Sequence, residues 1–329
     1  MNNTHQPLVI ISIIIAFASC NLNHNSINEI AQLGKEIDSM RIEYDFPAVA
    51  YGVIKNDSIL VMNALGLRDI ESEDSVKISD FFHIGSCTKS FTAFLAGKYV
   101  EDGFLEWDTQ FFDLFPELAE SSHSYYKNMT LKHLLSHRTG LISFKEDAEV
   151  SSIIAKYQMG IPENTSLEQR RYHCIAHILT LEPQDPNLPR SKLYSNAGYM
   201  AAGLMLEKVS NKTWESLIIE MSDELGLGIH IGWPVEYNPD QPRGHVNPLR
   251  WLLESDEDQV PIPEESMNYD WVKGEGENTQ YGHRGSNGAF YAFIGINPNT
   301  NGGMVVMINT YKEPGLTDII QLLANTFAI

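Results

Sequence analysis

The chain has 329 residues, with 23 Lys and Arg against 43 Asp and Glu, a formal charge of −20. A hydrophobic fraction of 43% is that of a packed globular protein, and the length allows a large core without covalent staples. The acidic balance excludes the dense cationic patches that a nucleic-acid partner needs, and Cys20, Cys87 and Cys174 are too few for a disulfide framework.

In chain order, Leu8 to Ala18 forms an apolar run too short for the roughly 20 residues of a bilayer-spanning helix. It fits the apolar region of an export signal over residues 1–19. The run ends in Phe17-Ala18-Ser19-Cys20, and small residues before a cysteine resemble a bacterial lipobox, which implies lipidation of Cys20 and an exported lipoprotein of the cell envelope. An ordinary secretory signal with Cys20 a bystander and a retained anchor are the alternatives, and Met1–Gln6 lacks the usual Lys or Arg. Residues 20–26 then form a short tether and 27–329 one domain.

Ile27 to Tyr44 carries apolar residues at helical spacing until Asp45-Phe46-Pro47 breaks it. Two β-type runs, Ala48–Ile54 and Ile59–Leu65, flank the polar turn Lys55-Asn56-Asp57-Ser58 and predict a hairpin. A mostly helical stretch follows from Phe81 to Glu224, then an acidic irregular segment, Glu254–Asn278. Ala289–Ile296 and Met304–Ile308 read as strands, and Leu316–Phe327 as an amphipathic helix. Hairpins at both ends most simply share one antiparallel sheet. The expected class is α+β: that sheet, flanked by the N- and C-terminal helices, with a mostly helical insertion.

Three short motifs carry chemistry. Ser86-Cys87-Thr88-Lys89 puts a lysine one helical turn beyond a serine, so the amine can reach a hydroxyl that needs a base to become nucleophilic. Ser124-Tyr125-Tyr126-Lys127 has the same spacing but sits in a polar turn. Tyr194-Ser195-Asn196 opens a helix rich in small residues, where an Asn commonly just caps. His283-Arg284-Gly285-Ser286 stands ahead of the C-terminal strand pair, with Gly285 expected to let substrate approach the backbone closely.

S-x-x-K, Y-x-N and H-x-G in this order resemble the penicillin-recognising serine hydrolases: class C β-lactamases, D,D-peptidases and related esterases. The stretch Met129 to Leu141, with Leu134-Leu135, His137 and Gly140-Leu141, is similar to the same family, and the resemblance spans about Ile27 to Phe327. It implies Ser86 as an acyl-enzyme nucleophile and Lys89 with Tyr194 as the proton-transfer network, either one being the base. It further implies Asn196, His283, Arg284 and Gly285 as substrate contacts, and the backbone N–H groups of Ser86 and Ser286 as an oxyanion hole. No metal or organic cofactor is implied, and the expected partner is a small-molecule or peptide substrate.

Two departures bear on the substrate. His283 stands where β-lactamases usually carry Lys, and Arg284 where they carry Thr or Ser; Arg284 either restores a carboxylate contact or points away on the other strand face. The interval from Tyr194 to His283 is also short, suggesting an open cleft rimmed by the acidic stretch around Glu254–Glu265. His173 and His177, at i, i+4, lack a clear third zinc ligand, no G-x-S-x-G elbow occurs, and Cys87 is expected to face the core. A non-catalytic module that uses the cleft to bind peptidoglycan or a protein is the competing reading.

Overall fold

Hairpins from the two ends of the chain do share one sheet. In the computed structural model, which describes residues 24–144, 164–184, 186, 192–245 and 281–329, five antiparallel strands lie in the order β2-β1-β5-β4-β3. The strands are β1 (Ala48–Lys55), β2 (Ser58–Gly66), β3 (Tyr281–Ser286), β4 (Tyr291–Asn297) and β5 (Gly302–Ile308). The segment read as an export signal, with Cys20, and the acidic segment Glu254–Asn278 lie outside the described residues.

Local chemistry sets the first hairpin. Asn56 and Asp57 both take positive φ (50° and 60°), which these side chains tolerate and which matches the twist of the flanking strands. The central pairing, Tyr51 opposite Val306, joins the two ends of the chain. The segment read as lying ahead of the C-terminal strand pair is itself β3, paired with β4 from Tyr281↔Ile296 to Ser286↔Tyr291.

One sheet face is covered by α1 (His24–Glu43) and α9 (Glu313–Phe327). Leu33 and Ile37 from α1, and Leu316, Ile319 and Leu323 from α9, close over Val49, Val53 and Val306. Each such side chain contributes about 1.5–3 kcal/mol by leaving water.

The insertion has its own core, built on α2 (Thr88–Glu101), α3 (Phe111–Leu114), α4 (Leu131–Leu135), α5 (Leu167–Ile178), α6 (Asn196–Ser210) and α7 (Trp214–Leu225); the one-turn α8 (Pro234–Tyr237) follows. Helix α6 is its axis, because Ala197, Gly198, Ala201, Ala202 and Gly203 leave room for neighbours to pack close. A part-buried ionic knot ties three helices together. The Arg171 guanidinium on α5 donates to Glu215 Oε1 of α7 at 2.6 Å and to the buried Glu207 of α6, which also accepts the Trp214 amide at 2.7 Å. The functional residues lie on the seam between this core and the sheet.

Candidate active site

A 3₁₀ turn, Gly85–Cys87, runs directly into α2 and packs against β3. Two facing glycines make that packing possible. A Cβ on Gly285 would lie 2.1 Å from Ile84 O and 2.6 Å from Ser86 N, and one on Gly85 (φ +51°) would lie 2.4 Å from Ser286 N. Contacts that close to backbone atoms cannot be absorbed by a side-chain rotation, so both positions require glycine. The backbones of Ser86 and Ser286 are thereby held next to one another.

On this turn Ser86 meets two partners. Lys89 Nζ donates to Ser86 Oγ at 3.0 Å from one helical turn on, and the Tyr194 hydroxyl donates to the same oxygen at 2.7 Å from 108 residues away. Tyr194 is placed by the start of α6. Ser195, rather than Asn196, is the N-cap: its hydroxyl accepts from Gly198 N at 3.1 Å and donates to Ile142 O at 2.7 Å. Asn196 sits one residue further, its Nδ2 donating to Phe144 O at 3.0 Å. Lys89 Nζ also lies 4.8 Å from the centre of the Tyr194 ring, so the two side chains pack against each other as well as on Ser86. Both Lys89 and Tyr194 stand within proton-transfer distance of Ser86, so whichever is deprotonated can take its proton.

His283 lies on the same face of β3 as Gly285, buried beside the Ser86 turn; the Cys87 thiol donates to its carbonyl at 3.6 Å. Its Nδ1–H donates to Arg284 O at 2.8 Å, which fixes the lone pair on Nε2. Burial pushes the imidazole down to about 4, with the charge of Lys89 adding to it and the bond to Arg284 O opposing, so His283 is neutral at neutral pH.

Arg284 takes the second of its two readings, which removes it from the expected substrate contacts: alternation along β3 sends it to the other face, where Nη1 donates to Glu313 of α9 at 2.8 Å and the guanidinium lies over Phe293. One expectation is corrected. Gly285 does not open the strand to substrate, because the space a Cβ would fill is taken by Ile84–Cys87. Cys87 is buried as expected, and burial holds its thiol up at about 12, too high for a thiolate nucleophile. His173 and His177 flank the buried Cys174, and no group of three or more His, Cys, Asp or Glu able to hold a metal ion occurs among the described residues. Sequence reasoning assigned no role to His83 and His137. His83 Nδ1 accepts the Gly85 amide at 3.0 Å and so braces the turn, a contact its position two residues before the glycine could have suggested. The ring of His137 packs on Tyr194.

Comparison with known proteins gives one consistent picture. The family model described as Beta-lactamase matches residues 28–221, more than half of the chain, including Ser86, Lys89, Tyr194 and Asn196 but not β3. Among curated proteins, the unguisins hydrolase of Aspergillus violaceofuscus is 26% identical over 190 residues (56% of this chain, 31% of that protein). Protein flp of Staphylococcus aureus is 20% identical over 332 residues (85% and 64%), so this chain spans under two thirds of either relative's length. A class C β-lactamase from Rhodobacter sphaeroides superposes with a TM-score of 0.66 at 19% identity, covering 92% of this chain and all of that one. The octameric penicillin-binding protein homologue from Pyrococcus abyssi gives 0.67 at 20% identity, covering 91% and 78%.

Proposed function

The chain belongs to the Beta-lactamase family, and from that premise we propose that it hydrolyses a neutral ester or amide, a D-amino-acid peptide bond included, through an acyl-enzyme on Ser86. The observation that carries this reading is the placement of Ser86 Oγ within hydrogen-bond reach of both Lys89 Nζ and the Tyr194 hydroxyl. Ser86 Oγ attacks the carbonyl carbon while its proton passes to the Lys89/Tyr194 pair. The backbone N–H groups of Ser86 and Ser286 stabilise the oxyanion. The same pair returns the proton to the leaving oxygen or nitrogen as the acyl–enzyme forms. Water then attacks the Ser86 ester by the reverse proton route, releasing the acid and regenerating the hydroxyl. This chemistry needs neither metal nor organic cofactor. Asn196 is the proposed contact for the substrate's amide or carbonyl.

The neutral preference comes from β3. A carboxylate-bearing substrate gains most from a cation at the third motif, yet His283 is held neutral and Arg284 is committed to Glu313. The retained Ser86–Lys89–Tyr194 contacts favour the enzyme over the binding module, which has no use for them.

Labelling with a fluorophosphonate, followed by intact-mass measurement, tests the reading. One adduct on the wild type and none on Ser86→Ala is expected; an unlabelled wild type that also hydrolyses no p-nitrophenyl ester overturns it. The apolar run ending at Cys20 supports a further proposal, that the protein is exported and anchored to a cell-envelope membrane by acyl chains on Cys20. Cys20→Ser should then lose both lipidation and membrane fractionation, and a wild type without acyl chains would exclude the anchor.

A further inference from the structure

His137 holds Tyr194 from both sides along the chain. Its carbonyl accepts the Leu193 amide at 2.9 Å and its Nδ1 accepts the Ser195 amide at 3.1 Å, so the residues before and after Tyr194 are both fastened to this one residue. Its ring lies 4.5 Å from the Tyr194 ring, centroid to centroid, and 5.1 Å from that of Tyr199. The three contacts need an unusual backbone. His137 is buried at φ +57°, a left-handed conformation that a non-glycine residue adopts at some cost and that turns carbonyl and side chain toward the same segment.

We propose that His137 is the positioning residue for Tyr194: the hydrogen bond from Ser195 N–H to its side chain fixes the tyrosine hydroxyl against Ser86 Oγ. The inference rests on the acyl-enzyme reading above and adds a residue outside the Ser86–Lys89–Tyr194 constellation. Protonation would destroy the acceptor. Burial, together with the positive charges of Lys89 and Lys192, pushes His137 down to about 3, so the acceptor persists at neutral pH. Packing alone would be served by any apolar ring; an imidazole whose lone pair receives an amide next to Tyr194 also sets direction.

Two variants separate positioning from packing. His137→Gly suits the positive φ and removes both ring and acceptor; His137→Asn also tolerates that backbone and restores an acceptor oxygen. Acylation is read by stopped flow with p-nitrophenyl acetate, folding by thermal melt, and Tyr194 itself by phenolate absorbance at 295 nm as a difference from Tyr194→Phe. For His137→Gly the acylation rate should fall about 100-fold with KM within a few-fold, as expected for a misplacement on the order of 1 Å, and the Tyr194 titration should shift. His137→Asn should recover to within tenfold of wild type, with the titration restored. A folded His137→Gly that acylates within threefold of wild type, or a folded His137→Asn as impaired as the glycine variant, overturns the proposal. Should His137→Gly not fold, His137→Asn decides alone, within tenfold supporting it and a 100-fold loss overturning it. If the wild type takes no fluorophosphonate at Ser86, the acyl-enzyme reading has failed; a labelled wild type with an unaffected glycine variant fails the positioning role alone.

Discussion

Gly285→Ala adds a single methyl group, and the site is expected to lose most of its activity. The new Cβ would stand 2.1 Å from Ile84 O, 2.5 Å from Cys87 N and 2.6 Å from Ser86 N. All three are backbone atoms of the turn that carries Ser86, so relief requires β3 and the turn to separate by about 1 Å. That separation pulls the Ser86 and Ser286 amides apart at the place where the oxyanion would sit. Misplacement of this size costs on the order of 100-fold in rate, and overpacking costs about 1–3 kcal/mol in stability. Gly52→Ala is the control: its Cβ would meet Val305 Cγ1 at 3.5 Å, an ordinary contact, so activity should hold. The assay is kcat/KM for p-nitrophenyl acetate, normalised to folded protein by thermal melt. A folded Gly285→Ala enzyme within threefold of wild type would show that the glycine pairing does not position the nucleophile.

Substrate preference follows from β3: p-nitrophenyl esters should be turned over with higher kcat/KM than any penicillin or cephalosporin, because one missing charge-assisted hydrogen bond costs about 1.5–3 kcal/mol, on the order of 10- to 150-fold. His283→Lys should move the ratio towards β-lactams, and a wild type that prefers a β-lactam refutes the argument. Arg284→Gln should leave ester kcat/KM unchanged and cost at most about 1 kcal/mol in a denaturant melt, since its partly exposed pair with Glu313 lies on the far sheet face; a tenfold activity loss would contradict that placement. Glu207→Ala should cost about 3 kcal/mol, because it strips the half-buried Arg171 of its buried carboxylate partner; a loss under 1 kcal/mol in the same melt would mean that the knot is not a structural tie. In acid, His137 and His283 stay neutral when folded, near 3 and 4, but take protons in the unfolded chain below about 6.5. Stability should therefore be fully present above that value and fall by about 2.5 kcal/mol for each histidine between pH 6.5 and pH 4.5, and His283→Gln should flatten the melt-versus-pH curve by its share. An unchanged slope would refute the buried neutral state.

Features that depend on a few consecutive residues were legible in the chain before folding. β-type runs bounded by polar turns located β1, β2, β4 and β5, with Gly302 and Gly303 read as turn although they pair in β5. Helical spacing located α1 and α9, and the three-residue step from Ser86 placed Lys89 on its hydroxyl, since one turn of helix sets that distance wherever the helix lies. Alternation also required Arg284 and Gly285 to face opposite ways, but not which of them faces the seam; the packing of the Gly85–Cys87 turn on β3 decided that. Tertiary structure alone brought the Tyr194 hydroxyl to Ser86 across 108 residues, and put His137 between the amides of Leu193 and Ser195. Such contacts leave no period in the sequence, because they arise where two separately packed cores meet and each side chain is directed by neighbours distant along the chain.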